Sequence, residues 1–145
     1  MNIYFSGSIA GGRGKQPVYK ELIRFLEGFG NVWTKHVGEL KSKSEKSVNV
    51  YARDITWLDN SDVLVAEITV PSIGVGMEIE HAIRMERKIP ILCLFDMNSM
   101  KPLTRMVIDC PYVTTFGYPD IESAKTVISE FINSNLKNYN HSFEK

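Results

Sequence analysis

Four consecutive apolar residues, Val63-Leu64-Val65-Ala66, lead through Glu67-Ile68-Thr69-Val70 to a Pro71-Ser72 corner. Gly74 and Gly76 follow, and then a helical pattern that carries Glu78. A strand that is apolar at every position, not at alternate ones, has both faces covered, as in a parallel sheet with helices on each side. In such open α/β sheets ligands sit beyond the carboxyl ends of the strands, where the chain turns into a helix N-terminus. The two glycines let backbone approach a ligand closely, and Ser72 is placed to cap the helix. Glu78 then points into the cleft with its charge favoured by the helix dipole. A carboxylate so placed is expected to stay ionised at neutral pH, which suits a nucleophile better than an acid.

The rest of the chain repeats the strand-then-helix pattern. Ile3-Tyr4-Phe5 is a β-prone run that breaks at Ser6-Gly7-Ser8, and a helix is expected from about Pro17 to Phe29. Val18, Leu22, Phe25, Leu26 and Phe29 mark the buried face of that helix. Val32-Trp33-Thr34 starts a second strand ending near His36, and residues 38–46 read as a solvated loop. A second helix is expected over Val48–Leu58, with Val50, Ile55 and Leu58 inward and Asp54 near its middle. The third strand spans Val63–Ile68 and the Glu78 helix runs to about Arg87. Ile89–Phe95 is the fourth strand, with Pro90 at its start, where proline is tolerated. Lys101–Asp109 holds a short helix or turn. Val113–Phe116 is a fifth, more polar strand at an edge, and Ile121–Leu136 a closing helix. One domain over 1–137 with a frayed tail at 138–145 follows, built as a parallel doubly wound sheet.

The totals narrow the function. Of 145 residues, seventeen are basic and seventeen acidic, so no general attraction to a nucleic acid polymer or an anionic membrane is expected and any anion site is local. No apolar run approaches the ~20 residues of a membrane span, and no signal-like segment precedes the first strand. Two cysteines, Cys93 and Cys110, do not make a disulfide scaffold and fit a reducing, cytoplasmic setting. His36, His81 and His141 lack partners at metal-ligand spacing, so no metal is expected.

Three loops converge at the strand carboxyl ends in this architecture: Ser6–Arg13, the region of His36, and Pro71–Glu78. The first is glycine-rich but is neither a Walker loop nor a complete dinucleotide fingerprint. Gly7, Gly11, Gly12 and Gly14 form either a plain tight turn or a cradle of backbone N–H donors for a small anionic group. Among the acids, Glu67 reads as a structural carboxylate, and Asp54 as either a solvated helix residue or a cleft acid. Two carboxylates of different pKa are what glycosidic or N-glycosidic cleavage requires.

The residues also match a family, in order. Tyr4-Phe5-Ser6-Gly7-Ser8-Ile9 with Gly11-Gly12-Arg13, then Asp54-Ile55-Thr56-Trp57-Leu58, then Asp62–Glu67, then Pro71–Glu78, then Pro90–Phe95, resemble the 2′-deoxynucleoside 5′-phosphate N-hydrolases of the nucleoside 2-deoxyribosyltransferase superfamily. The resemblance implies a flavodoxin-like, Rossmann-like three-layer sandwich with a five-stranded parallel sheet, and a homodimer with shared active sites. It implies Glu78 as the nucleophile, Tyr4 as the group orienting it, and Asp54 as the group assisting the departing base or holding the site's hydrogen bonds. Ser8 and Ser72 fall at 5′-phosphate positions, flanked by Gly7, Ile9, Gly74 and Gly76. His36 falls near the base, and Thr104 where a neighbouring subunit contributes a serine.

One departure stands out: Ala10 replaces the phosphate-binding arginine of the mammalian-type hydrolases. Either Arg13 or Arg105 compensates, or a less charged 5′ group is accepted. The helical stretch Glu78-Ile79-Glu80-His81-Ala82 is closer in style to the transferases. The expectation is therefore a cofactor-free enzyme cleaving the N-glycosidic bond of a nucleoside 5′-monophosphate. A base-exchanging transferase, a non-catalytic nucleotide-binding module and a flavin-dependent redox protein are the alternatives.

Overall fold

The computed structural model describes residues 1–9, 14–39 and 48–141, with side chains through residue 135. Among the described residues five strands, β1 (Asn2–Ser6), β2 (Asn31–Val32), β3 (Val63–Glu67), β4 (Ile91–Asp96) and β5 (Thr114–Tyr118), pair in parallel in the order β2-β1-β3-β4-β5. Helices α1 (Gln16–Leu26), α2 (Val50–Asp59), α3 (Ile73–Arg84), α4 (Arg105–Ile108) and α5 (Ile121–His141) make the crossovers and the closing layer. This strand order is the flavodoxin-like one, and its direction reverses between β1 and β3. The crevice at that reversal lies where Ser6 and Ala66 sit in register.

The alternation of side chains along the strands sorts the core into two layers. Ile3, Phe5, Val63, Val65, Leu92 and Leu94 face α1 and α5, packing with Tyr19, Leu22, Leu26, Ala124, Ile128 and Ile132. Tyr4, Leu64, Ala66, Ile91 and Cys93 face the other way, against Leu58 of α2, Val75, Ile79 and Ala82 of α3, and Val107 of α4. Every residue of β3 is buried, as its unbroken apolar run requires. β5 is the edge strand expected from its polarity, and only Tyr118 of its residues is fully withdrawn.

Several boundaries differ from the sequence reading. β2 stops at Val32 and does not reach His36. Thr34 intervenes: its Oγ1 accepts from the Phe5 amide at 2.9 Å and donates to the Phe5 carbonyl at 2.6 Å, so a side chain replaces the next ladder bonds. The chain then coils into a 3₁₀ turn, Lys35–Gly38, which carries His36. The inward face of α2 is also narrower than expected: Leu58 is fully buried and Ile55 half-buried, while Val50 at the first turn is exposed. In α1 the buried stripe is Gln16, Tyr19, Leu22, Ile23 and Leu26, with Val18 and Phe25 at its margins. The Glu78 helix ends at Arg84, because Met85 leaves helical dihedrals at ψ 143°. α5 continues to His141, past the point where a tail was expected to begin.

Candidate active site

Period-two geometry places the first two groups. Tyr4 and Ser6 lie two apart on β1, so both side chains leave the face that α3 covers. On α3, Val75, Ile79 and Ala82 form the buried stripe, and Glu78 stands next to it, facing the strand ends. Tyr4 donates its hydroxyl to Glu78 Oε1 at 2.9 Å, and Ser6 donates to Glu78 Oε2. Each carboxylate oxygen thus has its own donor. The sequence reading does not single out Ser6. The signal that identifies it is its spacing from Tyr4, one pleat nearer the strand's carboxyl end.

The third member comes from α2. Asn49 caps this helix, its side chain accepting from the Ala52 amide at 3.0 Å, which fixes the register that brings Asp54 to the inner edge. Asp54's charge raises the pKa of both Tyr4 and Glu78, so the two carboxylates lie within electrostatic reach of each other. Tyr4 is lifted far above the ordinary phenol value, first by burial and then by the negative charges of Glu78 and Asp54. It remains a protonated donor at any working pH.

Glu78 departs from expectation. Its carboxyl is pushed up from the ordinary value, chiefly by burial; hydrogen bonds from Ser6 and Tyr4 pull it down, and Asp54 adds to the rise. The helix dipole does not hold it low, because Glu78 is the sixth residue of α3 and the dipole's influence fades beyond the first turn. The anion is stabilised by two aimed hydroxyls instead.

The remaining candidates divide into groups. Ser8 is fully buried, its amide donates to the Tyr19 hydroxyl at 3.2 Å, and among the described residues its Oγ has no hydrogen-bond partner. Gly7 has a reason of its own: a Cβ there would meet the Tyr19 ring at 3.0 Å. Ile9 packs against the α1 side of the core. Arg13, with Ala10, Gly11 and Gly12, lies outside the described residues. His36 stands with its ring 5.9 Å from that of Trp57, which in turn stacks on Trp33 at 6.3 Å and 12°. These two tryptophans form an aromatic wall that the sequence reading did not assemble.

Ser72 is the N-cap of α3, accepting from the Val75 amide at 3.4 Å, as its position suggested. With Gly74, Gly76 and Thr104 it lines a groove of about 950 Å³ between α3 and α4. That groove is lined by none of Tyr4, Ser6, Asp54 or Glu78, so within one chain Thr104 does not join the carboxylate pair. Glu67 is a separate, fully buried acid at the end of β3, accepting from Tyr118 at 3.0 Å and from Thr69, with Oε2 unpartnered among the described residues. Among the described residues no three His, Cys, Asp or Glu side chains gather as metal ligands, and no helix is long and apolar enough to cross a membrane.

A family model described as nucleoside 2-deoxyribosyltransferase matches residues 3–134. The chain belongs to the nucleoside 2-deoxyribosyltransferase family. A 5-hydroxymethyl-dUMP N-hydrolase of Danio rerio is 38% identical over 145 residues, covering 95% of this chain and 100% of the relative. One from Esox lucius is 43% identical over 114 residues, covering 74% of this chain and 77% of the relative. Among solved structures, the Clostridium botulinum CMP N-glycosidase BcmB superposes with a TM-score of 0.61 at 19% identity, over 90% of this chain and 99% of that one. That likeness bears on the fold. The transferase-family core, residues 3–134, contains every group of the Tyr4–Ser6–Asp54–Glu78 cluster.

Proposed function

We propose that this chain hydrolyses the N-glycosidic bond of a nucleoside 5′-monophosphate, deoxyribose preferred, through a covalent glycosyl-Glu78 intermediate. That it is an enzyme acting on nucleosides or nucleotides follows from its family. The observation that carries the finer reading is the half-buried Glu78 carboxylate gripped at both oxygens by Tyr4 and Ser6. One Glu78 oxygen attacks C1′ while the base leaves with the electron pair of the C1′–N bond and takes up a proton. Water then attacks C1′, the carboxylate departs, and sugar 5-phosphate is released. Two donors fix the nucleophile's direction, and partial burial leaves its charge less solvated than on an open surface. Asp54 assists the base's departure or holds the site's hydrogen bonds. Ser8 Oγ, buried and without a partner among the described residues, and Ser72 bind the 5′-phosphate, and His36 with the tryptophan wall meets the base. No cofactor takes part.

A cytoplasmic homodimer completes the reading. Gly74 and Gly76 are the second and fourth residues of α3, and among the described residues beyond their own helix backbone nothing lies near enough to demand glycine, Ser72 Oγ standing 3.9 Å from a Cβ at Gly74. Glycine is a weaker helix former than alanine by up to about 1 kcal/mol, so in this reading both positions serve close approach from outside the chain. Ile73 and Met106, each more than four-fifths exposed, give the same groove an apolar rim suited to a second copy. Thr104 then reaches the partner's site. Unpaired cysteines, one buried and one half-buried, fit a reducing compartment.

The test is a panel of ribo- and deoxynucleosides, each with and without 5′-phosphate, followed for free base, with and without a second free base. Release of base and sugar phosphate from 5′-monophosphates supports the reading. Formation of a new nucleoside identifies base exchange instead, and tight binding without turnover identifies a non-catalytic module.

A further inference from the structure

Asp54 is held by a neighbour on its own helix. Arg53, its immediate neighbour, donates from Nε to Asp54 Oδ1 at 2.8 Å, and each side chain of the pair is only 18% exposed. Adjacent residues on a helix diverge by about 100°, so an i,i+1 ion pair is not a routine helix-face contact. Here the guanidinium is folded over Trp57, one turn on, with its central carbon 4.6 Å from the ring centroid. Trp57 is fixed in its turn by the stack on Trp33. A chain of contacts therefore runs from β2's end through two indoles to a cation and then to the carboxylate.

We propose that Arg53 is a positioning residue: laid on the Trp57 face, its guanidinium fixes the Asp54 carboxylate beside the Tyr4–Glu78 pair. The proposal rests on the reading of that cluster as the reacting site. Among the described residues the charges acting on Tyr4 are Glu78 from α3 and Asp54 and Arg53 from α2, with Arg53 opposing the two acids. Ser6, from β1, adds a neutral donor. Loss of Arg53 releases Asp54 to other rotamers and leaves its negative charge uncompensated next to Glu78. A more negative surrounding makes Glu78 harder to ionise, so the acid limb of kcat/KM moves to higher pH.

The experiment uses the full chain and whichever nucleotide of the panel the wild type cleaves fastest. Arg53→Gln is expected to lower kcat by about tenfold or more, with KM within about threefold, and to move the acid limb upward. In an Asp54→Asn background the same substitution is expected to change kcat by less than about twofold, because its partner is already gone. Should Arg53→Gln melt below the assay temperature, Arg53→Lys carries the test: it keeps the charge, loses the Nε donor, and is expected to recover the acid limb but not the full kcat. Equal losses in both backgrounds, or an unchanged kcat and acid limb, overturn the positioning role. A wild type that turns over and is silenced by Glu78→Gln, yet ignores Arg53→Gln, sinks this proposal alone. A wild type releasing no base from any nucleotide sinks the hydrolase reading and this one with it.

Discussion

Tyr4 and Glu78 stand 74 positions apart in sequence and meet at 2.9 Å, the phenol donating to the carboxylate. The strand supplies a rigid donor whose direction the pleat fixes, and the helix supplies the acceptor. Burial raises the pKa of both, so the tyrosine keeps its proton, and for the glutamate the two hydroxyl donors are the groups that favour its ionised form against burial and the Asp54 charge.

Glu78→Gln preserves the shape of the site and removes the nucleophile. Base release is expected to fall by about a thousandfold or more, with nucleotide binding retained. Steady-state assay together with calorimetric titration checks both halves; a variant that still releases base at the wild-type rate rules out the covalent route.

Tyr4→Phe deletes one hydrogen bond and keeps the ring in the core. The lost donor had lowered the Glu78 pKa, so that value rises further. Since the attacking carboxylate must be ionised, activity disappears as pH falls through this pKa, and the acid limb of kcat/KM shifts upward. A drop of about 10–100-fold is expected near the wild-type limb, shrinking at higher pH. Ser6→Ala is expected to shift the limb in the same direction. A flat, pH-independent loss in both variants would contradict the assignment of these hydroxyls.

Glu67 offers a stability test apart from the reacting groups. Burial raises its pKa above the ordinary 4.5, against hydrogen bonds from Thr69 and Tyr118 and the charge of Lys15. The folded state therefore binds the proton more tightly than the unfolded chain, and this group's contribution to stability is full below about pH 4.5 and is lost as pH rises through the folded value. Glu67→Gln has no proton to lose, so its melting temperature is expected to gain on the wild type over that rise and then keep a constant lead. Glu67→Leu leaves the Thr69 and Tyr118 hydroxyls without their acceptor and is expected to destabilise by about 1–3 kcal/mol below about pH 4.5, a deficit that narrows as pH rises because leucine has no proton to lose. Thermal melts across a pH series measure both.

Sharing of sites between subunits is tested by mixing. Thr104→Arg and Glu78→Gln are each expected to be inactive as pure proteins. After co-refolding, heterodimers regain one intact site, with Glu78 from one chain and Thr104 from the other. No recovery in a mixture that sedimentation shows to contain dimers would place Thr104 outside the partner's site.

The alternating run of strands and helices, the double-sided burial of β3 and the polar edge at β5 were written in residue type and spacing. They follow from local periodicity, which a chain carries wherever it folds. The same is true of Ser72 as a cap and of Glu78 at the end of a glycine-rich turn. The tertiary structure alone decided the pairings. Ser6 acquires its role only when β1 lies beside β3 under α3, and Trp33 meets Trp57 only after Thr34 ends β2 early by taking over the ladder bonds of Phe5. The protonation balance of Glu78 was settled there as well. Sequence placed it near a helix N-terminus, but the sum of burial, two hydroxyl donors and a neighbouring carboxylate outweighs a dipole whose reach ends a turn earlier. Such sums depend on distances between segments remote in sequence, and those distances exist only once the sheet has formed.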